Sequence, residues 1–288
     1  MSSQWDAFQK ARFDVRPDWR YVVASGAVVL ATYSLLIEVW RRILAEWKTR
    51  IGYDDAARIW LVSSLGKYLP GKQVWLILMM GKMAEAVQVP PAAAAGSSIV
   101  NVLVNLAMGF VVAIAAGWRT LARMTVGHEW IAIALGVAMV AGVVALPSLL
   151  PVMISGVRRI TRRELALDAL PRRAIYIAIV GNLVAWVLYG WSFQLLVHGV
   201  LGRADGRFSD YVAAYAASYV IGYLVFVLPA GVGVREAVQT AALATMGLNS
   251  KEALAVAVAS RLWLTVLEIV PGLIYAARGP RSRSKANR

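Results

Sequence analysis

Five stretches of this chain contain no Asp, Glu, Lys or Arg: Tyr21–Ile37, Ala86–Trp118, Trp130–Val157, Ala174–Gly202 and Tyr211–Val234. A helix crossing the hydrocarbon core of a bilayer needs roughly 20 predominantly apolar residues. Runs of that length, repeated along one chain, leave a polytopic helical membrane protein as the reading. Composition agrees: 59% of the 288 residues are hydrophobic and 16% are charged, against about 45–50% and 25% in soluble domains. Mean hydropathy is +0.62.

What lies between these runs is short, so no soluble catalytic domain is expected. The first run begins near Tyr21 without a small-residue cleavage pattern, which argues against a removable leader. Cysteine is absent, which excludes disulfides, thiolate catalysis and Cys-based metal sites. His128 and His198 sit at the ends of different runs with no ligand partner at metal spacing. No GxSxG, HExxH or P-loop occurs, and Gly231-Val-Gly-Val-Arg-Glu follows an apolar helix rather than a strand. The expectation is a protein without catalytic residues, metal or cofactor.

The formal charge of +14 raises nucleic acid as a partner, but the distribution of the bases points elsewhere. Arg41–Arg58 carries five Lys/Arg, Pro151–Arg173 six, and the tail from Arg278 five, whereas Arg119–His128 and Gly199–Ser209 carry two each. Such clusters set topology and meet anionic lipid headgroups. The rule that basic loops face the cytoplasm places the first three inside and the last two outside, with a cytoplasmic C-terminus. Full spans are then expected at about 20–40, 91–117, 129–150, 174–198 and 251–277. The segment 1–19 precedes them and the basic tail 280–288 follows.

That topology constrains two remaining stretches. Asp55–Gln88 must enter and leave by the cytoplasmic face; it is broken at Leu69-Pro70-Gly71 and carries Lys67, Lys72 and Lys82. Asp210–Gly247 must enter and leave by the outer face and is broken at Leu228-Pro229-Ala230-Gly231. Each fits a re-entrant helical hairpin, a form allowed where protein buries the backbone or where it lines a wet cavity. The two units, Tyr53–Gly117 and Ser209–Gly279, share one layout: entering helix, Leu-Pro-small-Gly break, basic residue, exiting helix, long span. They flank the central spans 129–198 and face opposite ways. Paired interrupted segments of this kind point to a binding site at the bilayer midplane. The fold class is therefore all-α, with about five full spans plus two oppositely oriented hairpins forming an inverted repeat, in a single membrane domain.

Charges inside apolar segments cost free energy and persist where they pair or meet water or substrate. Arg235 and Glu236 follow the second break; Arg261 and Glu268, seven apart, share one face of the last span. They can form a structural ion-pair cluster, or Arg235 and Arg261 can receive an anionic headgroup while Glu236 and Glu268 orient them. Backbone N–H groups after Gly231 and Gly233 suit a phosphate. Lys67 and Lys72 flank the first break, either as matching phosphate ligands or as interfacial lysines. Asn101 and Asn105 fall on one helix face as interhelical hydrogen-bond donors or substrate contacts. Pro70, Gly71, Pro229, Gly231 and Gly233 are the candidate hinges.

LPAGVGVREA at Leu228–Ala237, followed by ASRLWLTVLEIVPGL at Ala259–Leu273, resembles the flippase-like transmembrane family named for the membrane region of lysylphosphatidylglycerol synthase. GKYLPGKQVW at Gly66–Trp75 resembles that family's first break. The resemblance extends from about Val39 to Ala277 and implies an inner-membrane protein of bacterial or archaeal type, with two opposed re-entrant hairpins and a role in moving or accommodating a lipid with a polar headgroup. Many relatives carry an Arg and an acidic residue where this chain has Asn101 and Asn105, and many begin with a further span. The synthase's soluble aminoacyl-transferring domain has no counterpart here, so lysinylation is not expected.

The combined expectation is a lipid flippase, with a membrane phospholipid or lipid-linked substrate held by Lys67, Lys72, Arg235 and Arg261. The alternative is a non-catalytic partner or lipid-presenting subunit of an envelope enzyme, and a third reading makes Glu236 or Glu268 the base of an intramembrane enzyme. A homodimer and a membrane enzyme are the protein partners considered, since small-residue faces such as Ala213-Ala214 pack within or between chains.

Overall fold

The computed structural model describes residues 17–68, 72–85, 87–124, 171–225 and 231–278, with scattered helical positions between 130 and 145. Its elements are α1 (Trp19–Glu46), α2 (Tyr53–Ser64), a 3₁₀ turn (Leu65–Tyr68), α3 (Lys72–Glu85), α4 (Pro91–Met124), α5 (Arg172–Leu201), α6 (Phe208–Leu224), α7 (Val234–Thr245) and α8 (Ser250–Ala277). Among the described residues there are no strands. Among the described residues, four segments are long and apolar enough to cross a membrane: Trp19–Glu46, Gly96–Trp118, Arg172–Leu201 and Ser250–Ala277. The expected span at 129–150 falls largely outside the described residues, as do segment 1–16, the basic tail, Pro70, Gly71 and Pro229.

α1 and α5 pair antiparallel along their whole length. The Asp18 N–H donates to the Gly199 carbonyl at 2.8 Å, the Tyr21 ring lies 4.0 Å from His198, and the Ser25 and Ser192 hydroxyls meet at 2.9 Å. Farther along, Val39 fills the space over Gly181, and Arg173 reaches Glu46 at 3.6 Å. Glu38, Arg41 and Arg42 cluster near that last contact. The molecule thus has a basic end, marked among the described residues by Arg41, Arg42 and Arg173.

Both short-helix pairs form hairpins on this frame. Arg41 donates to the Ile51 carbonyl at 3.4 Å, which anchors the start of α2 at the basic end. Ala84 and Val89, closing α3, share a buried cluster with Leu44, Ile51 and Ala56, so the chain returns to that end. The second hairpin has the reverse sense. Gly222 packs against Arg235, Ser218 accepts from Gln239 at 3.2 Å, and Met246 lies over Gly206; α6 and α7 therefore run antiparallel, closed at Gly222–Gly231 and open at Gly206–Met246. That open end is the non-basic end, because Arg203 beside it pairs with Glu252 at the start of α8 at 3.0 Å.

Helix length follows from the breaks. α2 and α7 have 12 residues each, about 18 Å of helix, where a bilayer core is about 30 Å. α8 has 28 residues, or about 42 Å. It runs from Arg203 to the first turn of α2, where Tyr275 meets Asp54 at 3.5 Å. Both hairpin tips come to the middle of α8: Tyr68 at Glu268, Glu236 at Arg261. Each hairpin is followed by a long helix, α4 or α8.

The core has two parts. Trp186, Phe193, Tyr211 and Leu243 are buried where α4, α5, α6 and α7 meet. Trp40, Leu44, Ile59 and Met80 are buried between α1, α2 and α3. The cavity described next lies where these two clusters adjoin.

Candidate functional site

The second hairpin tip is built on glycine. Gly231 has φ +68, a left-handed backbone, and a Cβ there would lie 2.6 Å from the Gly222 carbonyl oxygen. Gly233, at φ +84, caps α7, and its N–H donates to the Glu236 carboxylate at 2.7 Å. Three positions past the cap, the acidic side chain meets the positive end of the helix dipole. Its other oxygen lies 3.6 Å from the Arg261 Nε, with both side chains largely buried. One carboxylate thus fixes the tip of the second hairpin and ties it to α8.

Arg235 is the adjacent residue and points elsewhere. Its stem passes over Gly222, and its guanidinium carbon sits 4.8 Å from the Tyr219 ring centroid and 5.9 Å from that of Tyr215. Among the described residues no carboxylate lies within ion-pair distance of it. Glu268 accepts from the Tyr33 hydroxyl at 3.1 Å and from the Tyr68 hydroxyl at 2.5 Å. Through Tyr68 the first hairpin tip is bound to α8, as Glu236 binds the second.

Among the described residues, Arg235 and Glu268 are the charged ones lining a partly enclosed cavity of about 130 Å³ between the hairpins and helices α1, α4 and α5. One water needs roughly 10–15 Å³ by a comparable measure, so the space takes several waters or a phosphate-sized group. The remaining wall is mainly aromatic, with Trp40, Trp60, Trp186, Tyr33, Tyr189 and Tyr219 prominent. Opposite the hairpin tips are Asn101 and Asn105. Asn105 donates to the Asn182 Oδ1 at 2.7 Å, and Asn182 donates to the Asn101 Oδ1 at 3.1 Å. This ladder joins α4 to α5 with its donors largely engaged, and it leaves Asn101 and Asn105 on the cavity rim.

The structure therefore brings together Arg235, Glu236, Arg261, Glu268, Gly231 and Gly233. It places Lys67 in the 3₁₀ turn beside Tyr68 and Lys72 at the first residue of α3; their side chains lie outside the described residues. Glu236 lies beside Arg261, and Glu268 accepts from Tyr33 and Tyr68. No three His, Asp or Glu side chains gather among the described residues. Sequence reasoning overlooked the tyrosines. Tyr211, Tyr215, Tyr219 and Tyr223 recur every fourth residue, a spacing that stacks them along one helix face, and three of the four line the cavity.

Long apolar helices framing two opposed helical hairpins define an all-α polytopic membrane protein. The family model for the lysylphosphatidylglycerol synthase TM region matches residues 2–272, and the chain belongs to that family. No curated protein and no solved structure matches it.

Proposed function

We propose that this protein is a lipid flippase whose substrate carries an anionic or phosphate-bearing headgroup, bound between the two hairpin tips. One observation carries the reading. Arg235 faces a hydratable cavity at mid-length of the molecule with no carboxylate in ion-pair range among the described residues. A charge at such depth is costly, and a phosphodiester that accepts from the guanidinium supplies the missing counterion. Arg261, held by Glu236, adds positive potential, and Lys67 in the 3₁₀ turn and Lys72 at the start of α3 are the ligands proposed from the first hairpin. The hairpins are re-entrant in this reading, one opening to each face. Small tilts about the Pro70-Gly71 and Pro229–Gly233 breaks expose the headgroup to either side in turn. The basic end is cytoplasmic by the distribution of Lys and Arg, which sets the C-terminus inside an inner membrane.

Reconstitution tests this directly. Vesicles containing the wild-type protein should move fluorescent phosphatidylglycerol between leaflets well above protein-free vesicles, and Arg235→Ala should bring the rate to that background. Equal background rates for both proteins remove the flippase reading and leave a lipid-presenting partner of an envelope enzyme in its place.

A further inference from the structure

Asn182 is fully buried in α5, so its amide must find partners inside the protein. Its Nδ2 donates to the Ala178 carbonyl at 2.8 Å. A carbonyl only accepts, so this contact fixes which end of the Asn182 amide is nitrogen. The Asn182 Oδ1 then faces Asn105 and accepts from its Nδ2 at 2.7 Å. The second Asn182 N–H goes to the Asn101 Oδ1 at 3.1 Å. The ladder therefore has one direction, from Asn105 through Asn182 to Asn101.

A group is left over at each end. Two of the three amide nitrogens donate within the ladder, and the third, the Asn101 Nδ2, has no partner among the described residues. The Asn105 Oδ1 has none there either. Neither atom is sealed into the packing, and both residues line the cavity. They sit one helical turn apart on α4, with about 5–6 Å between their Cβ atoms. Accepting at the Asn101 oxygen makes its N–H a stronger donor, and donating from the Asn105 nitrogen makes its oxygen a stronger acceptor. The cavity wall thus offers a donor and an acceptor side by side, both uncharged.

Their distance from Arg235 sets what they can meet. Arg235 lies over the Tyr219 ring at 4.8 Å, Tyr219 lies 5.2 Å from Trp186, and the Trp186 Nε1 donates to the Asn105 carbonyl at 3.0 Å. A phosphate held by Arg235 therefore leaves the asparagines to the next part of the headgroup. A phosphate only accepts and an ammonium only donates, whereas a hydroxyl does both. The cavity has room for roughly ten waters by the measure used above, which suits a phosphate with a short polyol attached. We infer that Asn101 and Asn105 read hydroxyl groups on the headgroup, and that the substrate is a phosphodiester lipid carrying a small polyol such as glycerol. Asn182 positions the two without touching the lipid. This inference rests on the headgroup reading above and names the class of headgroup.

Short-chain phosphatidylglycerol and short-chain phosphatidylethanol carry the same phosphodiester charge, and only the first has free hydroxyls on its headgroup. In detergent, the wild-type protein should bind phosphatidylglycerol about fivefold to thirtyfold more tightly, as one or two hydrogen bonds of ordinary strength give. Asn101→Leu should bring the two lipids to within about twofold of each other, and Arg235→Ala should weaken both. A wild-type protein that binds the two lipids alike, and loses both with Arg235→Ala, overturns the inference and leaves the phosphate site standing. An Asn101→Leu protein that keeps the wild-type preference overturns it too, because the ladder then serves helix packing alone. Absence of binding by either lipid overturns the inference together with the headgroup reading. Should Asn101→Leu not fold, Asn105→Leu, which leaves the bonds from Asn182 to Asn101 and Ala178 in place, takes the same test. Where neither folds, the wild-type ratio decides.

Discussion

Two glycines less than ten residues apart have opposite consequences for the second hairpin. Gly231 combines φ +68 with a Cβ position 2.6 Å from the Gly222 carbonyl oxygen, and backbone cannot move aside as a side chain can. Gly231→Ala is expected to lower stability by at least about 2 kcal/mol, read as a fall in the unfolding midpoint in detergent. Gly222 is helical, and a methyl there meets the stem of Arg235, which is flexible. Gly222→Ala gains helix propensity, roughly 0.5–1 kcal/mol, while pushing the guanidinium from its place over Tyr219. The expected result is an unfolding midpoint no lower than wild type with slower phosphatidylglycerol movement. A stable variant that moves lipid at the wild-type rate would show that the position of Arg235 is immaterial.

At the level of elements, the tie between α7 and α8 rests on Glu236, which serves two partners. It receives the Gly233 N–H at 2.7 Å and lies 3.6 Å from Arg261. Glutamine keeps the cap, since an amide oxygen at that position also accepts from the cap N–H, but it removes the charge. Alanine removes both. Glu236→Ala is therefore expected to cost about 1 kcal/mol more than Glu236→Gln, measured by denaturant unfolding; equal losses would mean the cap is idle. How much of this was legible beforehand differs by element. Proline and glycine advertise their backbone consequences locally, so a glycine turn at Gly231 and Gly233 could be expected from sequence, and an ion-pair cluster of Arg235, Glu236, Arg261 and Glu268 is one of the two readings that those charges allow. The docking of Glu268 on Tyr33 and Tyr68 could not be expected. Those partners lie 235 and 200 residues away, and a tyrosine in an apolar helix has no one-dimensional mark that separates packing from hydrogen bonding. The fourfold tyrosine spacing in α6 was visible, but its meaning depends on which helices cover that face.

For the molecule as a whole, α8 makes the strongest statement about sidedness. Its first turn is held by Arg203 at the non-basic end, and its last reaches Asp54 at the start of α2. At about 42 Å it exceeds the bilayer core, so a crossing α8 puts its two ends on opposite faces. α1 descends to the basic end, where Glu46 meets Arg173, and Lys48 follows just beyond. Lys48 and Arg278 should therefore share one face, and Asp205 should lie on the other. The chain has no cysteine, so Lys48→Cys, Asp205→Cys and Arg278→Cys each report without background. In right-side-out cells a membrane-impermeant maleimide should label position 205 and spare 48 and 278; in inverted vesicles the pattern should reverse. Labelling of 205 and 278 from the same side would mean that α8 does not cross. The two hairpins would then no longer open to opposite faces, and the alternating exposure that the flippase reading requires would lose its structural basis.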